Sequence, residues 1–165
     1  MKSNIFPAIK LTALCILLLC VAYTLTVYGI AQFAPNNGKG EIITHNGKTY
    51  YSNIGQAFTA DNYFWSRPSA VDYNAAGSGG SNKAPSNEEY LATVQARIDT
   101  FLVHHPEVKK SEIPVDMITA SGSGLDPHIS VQAAKMQVKR IAKTRGIEET
   151  KLQQLIIANT ERPFI

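Results

Sequence analysis

Apolar and polar positions divide this chain into one unbroken hydrophobic block and a longer stretch of short, interrupted periods. From Leu11 to Ile30, "LTALCILLLCVAYTLTVYGI", there is no charge. A helix of ~20 residues reaches ~30 Å, the depth of a bilayer's hydrocarbon core. No charge follows before Lys39, so the span can extend to Phe33, with Tyr23, Tyr28 and Phe33 in its second half, where amphipathic rings suit the headgroup level. The run is longer than a signal-peptide core, and Gly29-Ile30-Ala31 makes a poor cleavage site. The block therefore reads as a retained anchor. Lys2 and Lys10 precede it, which places the N-terminus in the cytoplasm and the rest outside.

Beyond the anchor the periods shorten. "PNNGKG" (35–40) is a linker. "EIITHNGKTYY" holds two β-rich runs around Asn46-Gly47, the signature of a hairpin with a type I′ turn, and "SNIGQAF" is expected to continue it. Residues 61–87 show no period. They form a long polar loop whose Tyr63, Phe64, Trp65 and Tyr73 argue for order, since disordered segments are poor in aromatics. A helix is predicted after a Ser86/Glu89 capping box, apolar at Leu91, Val94, Ile98, Phe101 and Leu102 and stopped by Pro106. "IPVDMIT" (113–119) suggests a short buried strand. A second helix should start at Val131 with Ser130 as N-cap and end at Gly146. Its apolar face is Val131, Ala134, Val138, Ile141 and Ala142, with Lys135, Lys139, Arg140, Lys143 and Arg145 on the other side as a basic face turned to solvent. A third helix begins near Glu148 and carries Leu152, Leu155 and Ile156. The expected fold class is α+β: one N-terminal transmembrane helix, then a small extracytoplasmic domain with a short sheet and about three helices. The expected boundaries are 1–34 for tail and anchor, 35–40 for the linker and 41–165 for the domain.

Charge and cysteine content narrow the chemistry. With Lys2 and Lys10 set aside, 14 Lys or Arg face 13 Asp or Glu, which is no footprint for nucleic acid. Both cysteines, Cys15 and Cys20, lie in the span, so the remainder has neither disulfide nor thiolate chemistry. The densest polar stretch is "TASGSGLDPHIS" (119–130). It contains no lysine, and "GSGGSNKA" (77–84) has Asn82 and Ala84 where a phosphate loop needs glycine and a hydroxyl. Ser121, Asp126 and His128 match a hydrolytic triad in composition, but they crowd into eight residues, whereas triad members come from separate elements. An Asx turn at Asp126-Pro127 is the simpler reading. His45, His104, His105 and His128 show no metal-ligand spacing, and no metal is expected. On the residues alone, an anchored hydrolase and a small-ligand binding module both remain open.

Longer blocks carry more information. "YFWSRPSAVDYNAAGSGGSN" (63–82), "PSN" (85–87), "IGQ" (54–56) and above all "IPVDMITASGSGLDPHIS" (113–130) closely resemble the C subunit of the Kdp-type potassium-transporting ATPase. The resemblance covers nearly the whole chain. The family pattern differs at Ala84, where it carries glycine, and at Val131, where it carries proline. The resemblance implies a non-catalytic, single-pass subunit of a high-affinity potassium uptake pump in the plasma (inner) membrane. Its implied partners are a channel-like potassium-selecting subunit, a P-type ATPase catalytic subunit, a small stabilising peptide and membrane lipid. It also implies a chaperone role that raises the ATPase subunit's affinity for ATP. No cofactor of its own is expected, ATP and potassium being handled by the complex. The two loops then read as docking surface, with Gln56, Trp65, Arg67, Asp72, Asn82, Gly122, Gly124, Asp126 and His128 expected to meet partners.

Overall fold

The computed structural model describes residues 4–161. The chain divides into two compact units between Ser52 and Asn53.

The first unit opens with α1, Ile5–Ala31, a 27-residue helix of apolar composition. At ~1.5 Å per residue it is about 40 Å long, enough to cross a bilayer with tilt. Its central turns, Ile16–Ala22, are wound wider than an α-helix, with hydrogen bonds of π type. None of its residues is buried by protein. Cys15 and Cys20 are exposed on it as free thiols. The linker forms a tight turn, Pro35–Gly38, with Asn36, Asn37 and Gly38 all at positive φ.

The hairpin follows as expected. β1 (Ile42–His45) pairs antiparallel with β2 (Lys48–Tyr51), Ile43 opposite Tyr50 and Thr44 opposite Thr49. Asn46 and Gly47 both have positive φ, as a type I′ turn requires. The pairing does not extend into "SNIGQAF". Ser52 N–H donates to Glu41 O, and the chain then leaves the ladder. The sheet has two strands, and the α+β class stands.

The second unit is organised by its middle helix. α2 spans Glu88–His104, α3 Val131–Arg145 and α4 Glu149–Ala158. One side of α3 packs on α4, burying Ala134, Val138, Ile141 and Ala142 with Leu152 and Ile156. The other side meets α2 and the segment before α3, burying Ala133 with Phe101 and Met117. Ile129 packs against both clusters. A helix covered on two sides needs a buried arc wider than a single amphipathic face, and α3 buries seven residues, among them Gln137 and Arg140. Ser130 caps α3 by accepting from Ala133 N–H. Gly146 at φ 64° ends it, while Ile147 N–H returns to Ala142 O.

Two local expectations need correction. Residues 113–119 are not a strand. Pro114 has no N–H to give a ladder, and Val115–Met117 form a 3₁₀ turn in which Met117 N–H donates to Pro114 O and Thr119 Oγ1 to Val115 O. The N-cap of α2 is Asn87, one residue later than Ser86, its side-chain oxygen accepting from Tyr90 N–H at 2.9 Å. Replacing Asn87 by Ala should therefore lower stability by about 1 kcal/mol, while Ser86→Ala stays within about 0.5 kcal/mol of wild type. Thermal unfolding of the detergent-solubilised chain distinguishes the two.

Candidate functional site

The second unit contains two polar constructions, and both tie down the long loop. The first is a set of loop-to-loop bonds around the 119–130 stretch. Gly79 N–H and Ser78 Oγ both donate to Ser123 O, at 2.9 and 3.0 Å. Ser69 Oγ donates to Gly124 O at 2.6 Å, and Gly55 N–H donates to Leu125 O at 2.6 Å. Arg67 Nη1 pairs with Asp126 Oδ2 at 2.8 Å. The 119–130 stretch is thus flanked by residues 53–56 and by the 67–80 loop.

Close packing explains the small residues. A Cβ on Gly124, at φ +67°, would lie 2.8 Å from Gly79 O and from Val71 Cγ2. A Cβ on Gly55 would meet Leu125 O and Asp126 O at 3.0 Å. Gly122 differs: it is exposed, and an added Cβ would meet nothing within 4 Å. The fold itself therefore sets no steric demand for glycine at 122.

Asp126 forms the expected Asx turn, its Oδ1 accepting from His128 N–H at 2.9 Å and lying 3.0 Å from His128 Nδ1. Burial works to raise the Asp126 pKa, but the bonds from His128 and Arg67 outweigh it and hold the carboxyl below its ordinary value. Ser123 Oγ accepts from Leu125 N–H and lies 3.4 Å from Ser121 Oγ. Among the described residues no hydrogen bond joins His128 to either serine, and no group of three or more His, Cys, Asp or Glu side chains is placed to hold a metal.

The remaining expected docking residues are placed as follows. Gln56 O accepts from Ser66 Oγ. Asp72 and Asn82 are exposed, each at φ 50°. Next to Asp72, Tyr73 also has positive φ, held there by its N–H on Ser69 Oγ and its hydroxyl on Arg67 O. Burial raises the Tyr73 phenol pKa, with Ser66 and Arg97 opposing. Arg67 Nε is buried without a hydrogen-bond partner. Trp65 is occupied internally: its ring meets Phe101, His104 and His105 edge-on.

The second construction is centred on Arg140, and here the expected basic face is corrected. Arg140 is 8% exposed, and its guanidinium lies over the Trp65 ring at 4.8 Å. Its Nε donates to His105 Nε2 at 2.9 Å, Nη1 donates to Asp61 O, and Nη2 donates to Tyr63 O at 3.0 Å and Gln137 Oε1 at 2.8 Å. Gln137 Oε1 also accepts Trp65 N–H at 2.6 Å. Lys135, Lys139 and Lys143 are exposed, at i, i+4 and i+8. Arg140 belongs to the stripe Ala133, Gln137, Arg140, Thr144, of which Gln137 and Arg140 bond the loop. That stripe of small and hydrogen-bonding residues is the sequence signal that separates Arg140 from the lysines. Burial pulls the Arg140 pKa down, with Asp61 and Glu107 opposing.

This clamp holds the wall of a groove. The groove measures about 810 Å³ and is mostly apolar, with Phe58, Tyr63, Phe64, Pro127, Ile129 and Leu155 among its lining residues.

The family model for the c chain of K⁺-transporting ATPases, KdpC, matches residues 5–165. The chain belongs to this family. The potassium-transporting ATPase KdpC subunit of Flavobacterium psychrophilum is 61% identical over 164 residues, covering 99% of this chain and 89% of that protein. The corresponding subunit of Flavobacterium johnsoniae is 62% identical over 155 residues, covering 93% and 85%. The likeness reaches Caldanaerobacter subterraneus, whose KdpC subunit is 46% identical over 167 residues, covering 100% and 86%. Membership of the KdpC family makes the chain a subunit of a potassium-transporting ATPase, with one helix among the described residues long and apolar enough to cross a membrane.

Two outcomes follow from the geometry. Arg140→Ala leaves the Asp61 and Tyr63 carbonyls and His105 Nε2 without their donor, and Gln137 Oε1 with Trp65 N–H alone, and should cost at least about 3 kcal/mol. Arg140→Lys should not restore it, because an ammonium cannot reproduce the planar fork. Both are read from thermal unfolding. For Asp126 the folded pKa is lowered, so its stabilisation is full above the unfolded value of about 4 and is lost as pH falls through the folded one. The difference in Tm between wild type and Asp126→Asn should hold from pH 7 to 5 and shrink below about pH 4.

Proposed function

We propose that this chain is the non-catalytic accessory subunit of an ATP-driven, high-affinity potassium uptake pump, and that its bonded loops are a docking surface for the other subunits. The near full-length match to subunits of potassium-transporting ATPases carries this reading. The proposed partners are the channel-like potassium-selecting subunit, the P-type ATPase catalytic subunit and a small stabilising peptide, with lipid around α1. The loop geometry supports docking. Residues 67–82 and 119–128 are held in one arrangement by cross-loop bonds, and such preorganisation lowers the entropy cost of association. Exposed Gly122 leaves room for a partner backbone to approach.

In this reading Lys10 and Lys2 keep the N-terminus in the cytoplasm and the second unit lies outside. An effect on ATP affinity from that side acts through the conformational equilibrium of the ATPase subunit, since ATP is cytoplasmic. The chain contributes no cofactor of its own, and potassium and ATP are the business of the complex.

Gly122→Val should cut recovery of the partner subunits in affinity pull-down by about tenfold, ~1.4 kcal/mol of association, with the Tm of the isolated chain unchanged. Gly124→Val should lower both, because its side chain collides within the fold. Gly122→Val complexes that assemble fully would remove the docking role. Protease added to intact spheroplasts should degrade the second unit; full protection until the membrane is opened would reverse the topology.

A further inference from the structure

His105 is fully buried, yet it is an ionisable group placed against a cation. Arg140 Nε carries a hydrogen and can only donate, so His105 Nε2 must accept. The ring hydrogen therefore sits on Nδ1, which donates to Phe101 O at 2.9 Å. The ring is stacked on Phe101 at 4.0 Å and meets the edge of Trp65. Both nitrogens are committed, and both commitments require the neutral imidazole. A proton on Nε2 would remove the acceptor and set an imidazolium directly against the guanidinium.

We propose that His105 and Arg140 form a proton-sensitive latch on the aromatic wall of the groove, closed while His105 is neutral and released when it is protonated. Among the described residues Arg140 is the single side chain that binds the carbonyls of Asp61 and Tyr63, and through Gln137 it is coupled to the N–H of Trp65. The position of this wall thus depends on the orientation of one guanidinium, and His105 fixes that orientation from the end of α2.

The surrounding charges are few. From the loop, Asp61 Oδ1 lies 3.5 Å from Arg140 Nη1 and 2.8 Å from His104 Nδ1, and its side chain is 43% exposed. From the α2 end, His104 and Glu107 act on His105, Glu107 favouring its proton and His104 opposing it, as Arg140 also does from α3. Burial is the largest influence and lowers the His105 pKa. A histidine with a lowered folded pKa contributes stability that is full above about 6.5, its unfolded value, and is lost as pH falls through the folded value. The latch opens on the acid side.

Trp65 is the sole tryptophan and lies in the latch, so it reports directly. The test is acrylamide quenching of the full chain in detergent between pH 8 and 4.5. The quenching constant should be flat near neutrality and rise by about twofold or more on the acid side of the unfolded histidine value of about 6.5, as local opening admits the quencher. His105→Gln, which keeps an acceptor but cannot titrate, should abolish the rise, and His104→Gln should retain it. Nitrogen-15 NMR of labelled histidine in wild type supplies a second reading. His105 should hold its hydrogen on Nδ1 at pH 7.5 and become an imidazolium over the same interval in which quenching rises. Constant quenching to pH 4.5 overturns the latch. So does a transition abolished by His104→Gln and kept by His105→Gln, or a His105 that titrates outside the quenching interval. The readout uses the isolated chain and no partner, so its failure would leave the pump-subunit reading untouched.

Discussion

A buried guanidinium holding carbonyls of an irregular loop is the constraint on which the second unit rests. A segment without helix or ladder must still satisfy its backbone groups when it packs inward. Here the Asp61 and Tyr63 carbonyls and the Trp65 N–H are satisfied by α3, through Arg140 and Gln137. The cation escapes the full cost of burial because each face of its donor set meets an acceptor or an aromatic ring. Remove it, and the Asp61 and Tyr63 carbonyls lose the donor that holds them to the helix.

The loop-to-loop bonds extend the same logic away from the helices. Two irregular segments exchange backbone and hydroxyl hydrogen bonds where a sheet would otherwise stand, and the Arg67–Asp126 pair closes the arrangement. Glycine at 55 and 124 lets the segments approach closely enough to bond. In this KdpC-family chain the two loops are held to each other by these bonds.

Local rules recovered much of the architecture. The apolar run gave α1, Asn46-Gly47 gave the hairpin, and Ser130 with Gly146 bounded α3, because each of those signals acts over a few neighbouring residues. Residues 113–119 misled because an apolar run around proline suits a turn as well as a strand. Ser86 misled because Asn87, an equally good cap, stands next to it. Of the site, the Asp126–His128 turn was readable, being local. Arg140 was harder to read, since the carbonyls it binds lie more than seventy residues away and only its place one stripe round the helix separates it from the lysines. The long blocks shared with the KdpC family carried the function, which no single motif in the chain could have done.

The sequence separation of these contacts also sets an order of events. Arg140 binds carbonyls 79 and 77 residues earlier in the chain. At ~5–20 residues per second of synthesis, the loop waits roughly 4–16 s for the helix that fixes it. Until then Trp65 can meet only the end of α2, and the carbonyls beside it have no guanidinium to bind. The aromatic loop is therefore among the first parts of the second unit to be made and among the last to be fixed.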